Sequence, residues 1–319
     1  MRVTRASAAS DPGRKRRRNE DAFVCQPPLF AVADGMGGAQ AGEIASRLAA
    51  GAVRGDEAAG TGEERVLELI QEANRRVHQR SVEDPNASGM GTTLTLAVVG
   101  DGLVSIGHVG DSRAYLVRQG RLEQLTEDHS LVGELMRSGE LSAEEAESHP
   151  QRSVITRALG TDPDVDVDTF EVALREGDVF LLCSDGLPSM VDDEEILGLV
   201  ERHRNDLDRL VQALIRAANR GGGEDNITVV AFAVEDEGTV DEETLVAAGA
   251  ALPEPDDEDT LTEADRVPVI DAAVAGGEEV VRGKDEQAGP SLLGRVLRFL
   301  LAAAVVAAVI AIAIWGLSQ

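Results

Sequence analysis

The sequence predicts an α+β body in which antiparallel sheets carry helices on their outer faces. Two observations lead there. Period-2 apolar segments broken by Gly-containing turns follow one another as hairpins, and 3.6-residue periodicity is confined to the intervals between them. Consecutive hairpins argue against a doubly wound parallel sheet, in which a helical crossover would separate each pair of strands.

In chain order, "AFVC" and "LFAVADG" read as the first strands. Val66, Leu69, Ile70, Ala73 and Val77 then fall on one face of a helix. The long segment "TTLTLAVVGDGLVSIGHVGDSRAYLVRQGRLEQL" reads as a meander of hairpins. Ser130 to Thr156 is polar and helical in pattern, with Gly133 and Gly139 as candidate hinges. "GDVFLLCSDG" is a further strand; Leu207, Leu210, Val211, Leu214 and Ala218 mark a second helix face, and "ITVVAFAV" closes the body. No internal repeat interrupts this order.

Composition narrows the function. Of 319 residues 58 are acidic and 30 basic, a formal charge of −28, which argues against a nucleic-acid partner because phosphate backbones are held by clustered cations. With one Trp, one Tyr and six Phe, the core must be packed from aliphatic side chains. Cys25 and Cys183 lie far apart in apolar runs, as buried thiols of a reducing compartment do.

The two ends differ from the middle. Met1 to Glu20 is Arg-rich and lacks the apolar stretch of a secretory signal. From Phe299 to Leu317 run 19 residues without a charge, preceded by Arg295 and Arg298. That is close to the ~20 a bilayer-spanning helix needs. The expectation is a single-pass anchor at 295–319 in the inner membrane, with the body on the cytoplasmic side. Residues 235–290 hold eighteen acidic side chains against three basic ones, so 235–294 reads as a disordered, self-repelling linker. The first 234 residues, read as one domain, keep a net charge of −15.

Acids recur at the rims of the predicted strands. Asp34 and Gly35 follow "LFAVA", Asp111 follows "IGHVG", and Asp185 and Gly186 follow "VFLLCS"; Asp225 precedes Asn226 and "ITVV", while Glu20 and Asp21 precede "AFVC". One Asp-Gly pair is ordinary turn chemistry. Five rims bearing carboxylates favour a divalent cation, since converging acids repel unless neutralised, and an all-oxygen donor set suits Mg²⁺ or Mn²⁺.

The ordered set "SDPGRKRRRNEDAF", "LFAVADGMGG", "SGMGTTL", "HVGDSRAYLV", "LTEDHSLV", "HPQRSVITRALG", "LLCSDGL" and "GGGEDNITVV" resembles the bacterial metal-dependent protein serine/threonine phosphatases of the PPM or type 2C family, from about Thr4 to Val234. The resemblance implies an αββα sandwich with two Mn²⁺ or Mg²⁺ ions at one end. By motif, Asp34 would bridge the two ions and Gly35 would offer its carbonyl to one of them. Asp185 and Asp225 would complete one site, and Glu20 would reach the other. Asp21 and Asn226 would brace the ligands from behind, and Asp111 with Asp185 would hold a third, weaker ion. Arg16, within the run Arg14 to Arg18, matches the phosphate-binding arginine, whose fork suits bidentate capture of a phosphoryl group.

Those roles imply hydrolysis of phospho-Ser/Thr by metal-activated water, with no covalent phosphoenzyme. Phosphorylated proteins are then the substrates and membrane Ser/Thr kinases the opposing partners. The alternatives are a scaffold that binds phosphoproteins without hydrolysing them and a phosphatase dedicated to anti-sigma antagonists. Where eukaryotic relatives carry His after the bridging "DG", this chain has Met36, so the general acid has no assignment among His108, His129 and His149. Ser130 to Thr156 resembles the family's mobile flap.

Overall fold

Successive side chains of a strand face opposite ways, so strands as apolar as these must be covered on both faces. The computed structural model describes residues 1–37, 41–54, 61–142, 145–146 and 149–235. All of them belong to the first of the chain's two compact units, Met1–Glu254. One sheet has the order β1 (Arg2–Asp11), β11 (Ile227–Glu235), β10 (Val179–Cys183), β7 (Arg113–Arg118), β8 (Arg121–Gln124). The other runs β2 (Asp21–Gln26), β3 (Leu29–Met36), β5 (Leu94–Gly100), β6 (Leu103–Val109), β9 (Asp168–Ala173), with the two-residue β4 (Gly91–Thr92) paired to the end of β3. Every pairing between these strands is antiparallel.

The alternation separates three cores. In β10, Phe180 and Leu182 face the other sheet, where they join Phe30 and Val32 of β3 and Val230, Phe232 and Val234 of β11. Leu181 and Cys183 face outward, against helices α4 (Asp193–His203) and α5 (Leu207–Gly221). On the second sheet Ala31, Ala33, Leu94 and Leu96 are covered by α1 (Ala41–Arg54) and α2 (Glu63–Glu83). The layers are therefore helix, sheet, sheet, helix. The helix faces expected from periodicity, Val66 to Val77 and Leu207 to Ala218, are the buried faces of α2 and α5.

The predicted meander divides between the two sheets. β5 and β6 form one hairpin and β7 and β8 another, but β6 and β7 do not pair. The crossover is at Gly110, whose φ of 114° lies outside the range of most L residues; a Cβ there would come within 2.5 Å of the Thr93 side chain. It delivers Asp111 and Ser112, both buried, to one end of the sandwich.

The segment read as a flap begins with α3 (Leu131–Arg137), capped by the Ser130 hydroxyl, which accepts from the Gly133 amide. Its two stalks are tied by Leu131 N–H to the Val154 carbonyl and Thr156 N–H to that of His129. Gly139 has the positive φ expected of a pivot, whereas Gly133 sits inside the helix, where a Cβ would fall 2.6 Å from the Asp128 carbonyl. Gly133 is thus a close-approach glycine. The expected C-terminal helix and all but the first residue of the acidic linker lie outside the described residues. Among the described residues no helix is long and apolar enough to cross a membrane.

Candidate metal centre

Antiparallel register sets the first pair of acids. Asp21 opens β2 directly opposite Asp34 near the end of β3, which places their Cβ atoms on one face ~4.5–5.5 Å apart. The β3 edge is then locked. The Asp34 amide donates to Thr93 Oγ1 at 2.9 Å, and its carbonyl accepts from the Thr92 hydroxyl and the Thr93 amide. Asp185 leaves β10 and Asp225 stands two residues before β11, so neighbouring strands bring both to the same end.

The loop bearing Glu20 is pinned from behind by Asn226. Its Oδ1 accepts from the Glu20 amide at 2.8 Å, while its Nδ2 donates to the Arg18 carbonyl at 2.9 Å and the Pro12 carbonyl at 3.1 Å. The Glu20 carbonyl in turn accepts from the Gly35 amide. Gly42, in the first turn of α1, leaves the space these groups need. A Cβ there would lie 2.8 Å from the Gly35 carbonyl oxygen and 2.9 Å from Glu20 Oε2. The Gly35 carbonyl and the Glu20 carboxylate therefore converge at one spot.

Asp21 is held by two hydroxyls. Ser184 Oγ donates to its Oδ2 at 2.8 Å and Thr228 Oγ1 at 2.6 Å. Its Oδ1 is buried without a partner, and so is Asp185 Oδ1. Arg113 of "GDSR" spends its hydrogen bonds on Asp128, through three contacts of 2.7–3.1 Å, rather than on Asp111. Arg16 is the cation that meets the cluster, with Nη2 2.6 Å from Asp225 Oδ2.

Acids that outnumber the cations beside them have a predictable electrostatic result. Asp34 is pushed well above the usual carboxylate range by burial and then by Asp21, Asp185, Asp111 and Asp225. Burial raises Asp21 to about 7 against the two hydroxyl bonds that favour its charge. It raises Asp111 to about 8, helped by Asp185 and Asp128. Asp185 rises to about 6 through burial and Asp225, partly offset by its hydrogen bond with Asp34. Burial also raises Glu20, with Arg16 opposing.

These shifts and the two orphaned oxygens fit a site that holds divalent cations through oxygen alone. Among the described residues no three His, Cys, Asp or Glu side chains are already drawn in to the spacing of a finished metal cage. The ordinary value of these aspartates is 3.8, so in the metal-free protein the folded state holds protons that the unfolded chain has released. That contribution to stability is lost as pH rises through the folded values of about 6 to about 8. The melting temperature in chelator is expected to fall across that window, and added Mn²⁺ to remove the fall. A melting temperature that ignores both pH and Mn²⁺ would contradict the cluster.

Neither cysteine can supply an alternative nucleophile. Burial drives Cys25 up to about 11 and Cys183 up to about 12, so both remain thiols. The histidines are engaged elsewhere. His108 is buried, with Nδ1 2.8 Å from Thr95 Oγ1 and Nε2 3.0 Å from the Glu127 carbonyl. His129 Nδ1 accepts from the Gly110 amide and its Nε2 lies 3.0 Å from Asp168. His149 Nδ1 accepts from the Gln151 amide.

All the acids expected to act, with Gly35, Asn226 and Arg16, are thus gathered at one end of the sandwich. Ser184, Thr228, Thr93 and Gly42 were not foreseen. Their signal is faint: polar residues at the rim ends of "VFLLCS" and "ITVV", and a glycine in the first turn of a helix.

Two face-packed antiparallel sheets between helix layers, with an acid-lined rim and one arginine against it, define an α+β protein with a carboxylate cation-binding cleft. The profile of the protein phosphatase 2C family matches residues 14–226, and the chain belongs to that family. It is 44% identical over 237 residues to the serine/threonine phosphatase stp of Listeria welshimeri, covering 70% of this chain and 94% of that protein. Against the serine/threonine protein phosphatase PstP of Mycobacterium tuberculosis, identity is 37% over 307 residues, which is 94% of this chain and 58% of PstP. The solved catalytic domain of PstP in complex with two manganese ions superposes with a TM-score of 0.69 at 38% identity, covering 74% of this chain and all of that one.

Proposed function

We infer that this chain is a protein serine/threonine phosphatase that hydrolyses phosphate monoesters at a centre holding two Mn²⁺ or Mg²⁺ ions. The observation that carries the reading is the buried acid cluster, with unpartnered oxygens on Asp21 and Asp185 and a guanidinium at its edge. Asp34, Asp185, Asp225, Glu20 and the Gly35 carbonyl would hold the cations, and Asp111 with Asp185 a third. Bound there, the ions supply a water acidic enough to be hydroxide near neutral pH, together with charge to offset that of the phosphoryl oxygens.

The chain's own residues do the rest. Ser184 and Thr228 hold Asp21 rigid behind Asp34, and Asn226 fixes the Glu20 loop, so the ligands are set before substrate arrives. Arg16, paired with Asp225 at 2.6 Å, would turn its fork to two phosphoryl oxygens where Asp225 serves as a cation ligand instead. Arg16→Ala is expected to raise KM for phosphopeptides about tenfold or more, with Arg16→Lys intermediate because it offers no fork. An unchanged KM would remove Arg16 from the phosphate site.

The reading is tested by incubating the purified chain with Mn²⁺ and phosphothreonine or phosphoserine peptides. Phosphate release that stops on chelation supports it. Binding of the peptides without release would make the chain a phosphoprotein scaffold.

We further infer that the protein works at the inner membrane, opposing Ser/Thr kinases there. Supporting this is the run of 19 uncharged residues from Phe299 to Leu317 behind Arg295 and Arg298, joined to the body by an acidic segment. Tethering would raise the effective concentration of the enzyme near membrane-bound kinases. Deleting residues 291–319 should move the protein from the membrane to the soluble fraction, and unchanged fractionation would exclude the anchor.

A further inference from the structure

The basic run Arg14 to Arg18 was needed above only for Arg16, and the structure gives the others a definite place. Gly13, with a φ of 76°, turns the chain against the loop before β11: its Cβ would lie 2.2 Å from the Asp225 carbonyl. The amides of Arg14 and Lys15 both donate to the Gly223 carbonyl, at 2.7 and 3.2 Å. From that weld the run passes Arg16 on Asp225 and reaches Arg18, 4.0 Å from Glu43 in the first turn of α1. It therefore borders the acid cleft from the loop before β11 across to α1.

Three of these cations have carboxylate partners. Lys15 meets Glu224 at 2.7 Å, an acid that also has Arg152 at 3.8 Å, and Arg16 and Arg18 have Asp225 and Glu43. Arg14 and Arg17 are exposed and, among the described residues, have no side-chain hydrogen bond or ion pair. Two uncommitted guanidiniums beside a catalytic cleft stand out in a body whose net charge is −15. Such a body repels acidic chains on balance, so a local cationic border beside the cleft both attracts them and orients them there.

We propose that Arg14 and Arg17 select substrates carrying Asp or Glu beside the phosphorylated residue, by pairing with those flanking carboxylates while the phosphoryl group enters the metal cleft. This rests on the phosphatase reading and adds the sequence class of its substrates. Each contact is an exposed ion pair, worth ~0.2–1 kcal/mol, so the pair together gives a preference of about fivefold. The preference resides in KM and weakens with salt.

The test compares matched phosphothreonine peptides, one flanked by Asp and Glu and one by Gln and Ala, on the full chain with Mn²⁺, using p-nitrophenyl phosphate as a substrate without flanks. Wild type should favour the acidic peptide about fivefold in kcat/KM, through KM. Arg14→Ala with Arg17→Ala should abolish that difference, Arg17→Glu should reverse it, and p-nitrophenyl phosphate turnover should stay within about twofold. Equal turnover of both peptides by an enzyme active on p-nitrophenyl phosphate overturns the proposal. So does a preference that survives the double variant. Failure to hydrolyse p-nitrophenyl phosphate at all would instead strike the phosphatase reading itself.

Discussion

Replacing Asp34 by Asn is expected to reduce Mn²⁺-dependent turnover of p-nitrophenyl phosphate by about 1,000-fold or more, and Asp185→Asn to do the same. Both carboxylates lie at the centre of the acid cluster, each raised by burial and by neighbouring acids. Losing either removes both a cation ligand and the negative charge that draws cations in. A deficit of ~4 kcal/mol in transition-state charge stabilisation corresponds to a rate loss of that size. The same substitution should raise the melting temperature of the metal-free protein above about pH 4, because an amide there has neither to be buried as an anion nor to take up a proton on folding. Removing Asp21, which stands behind Asp34 on the Ser184 and Thr228 hydroxyls, should cost only about 10–100-fold. Asp34→Asn with turnover within tenfold of wild type would show that the cluster is not the reaction centre.

The second large effect concerns the packing between the sheets. Phe232 of β11 lies between Phe30 of β3, at 4.2 Å and 11°, and Phe180 of β10, at 5.0 Å and 8°. The chain has only six Phe, and three of them form this stack. Phe232→Ala leaves a hole that the two sheets cannot close without shifting strands that carry site residues at their ends. The expected cost is ~3–5 kcal/mol, read as a lower urea midpoint, which is a large share of the ~5–15 kcal/mol that holds a domain folded. Phe232→Leu should recover most of it. A cost under about 1 kcal/mol would mean that the inter-sheet core is not closely packed.

How much of this could be read beforehand depended on whether a residue's role is local. The buried faces of α2 and α5 repeat every three or four residues, β10 is an uninterrupted apolar run and β3 and β11 are mostly apolar, so the sequence displays them directly. β1 was missed because "RVTRASAASD" scatters its inward residues, Thr4, Ser7 and Ala9, among Arg, Ser and Ala. α1 was missed because small residues form its buried face, Ala41, Ala45, Ala49 and Ala52 among them. The division of the meander had no sequence signature, since alternation is the same whichever sheet a strand joins. The acids were legible from their places beside apolar strands. Ser184, Thr228 and Gly42 were not, because what each does is set by a partner 163 or 207 residues away or by a space left open across the fold: Ser184 and Thr228 for Asp21, Gly42 for Glu20 and Gly35.

The protonated state of half-buried Cys25 and buried Cys183 has a bearing on life under oxidative stress. Peroxide attacks thiolates, and hydrolases that depend on one are silenced by conversion to the sulfenic acid. With its sulfurs held as thiols at about 11 and about 12, this protein offers such oxidants no sensitive nucleophile. Erasure of its signal would therefore continue through an oxidant burst that stops thiolate-dependent enzymes in the same cell.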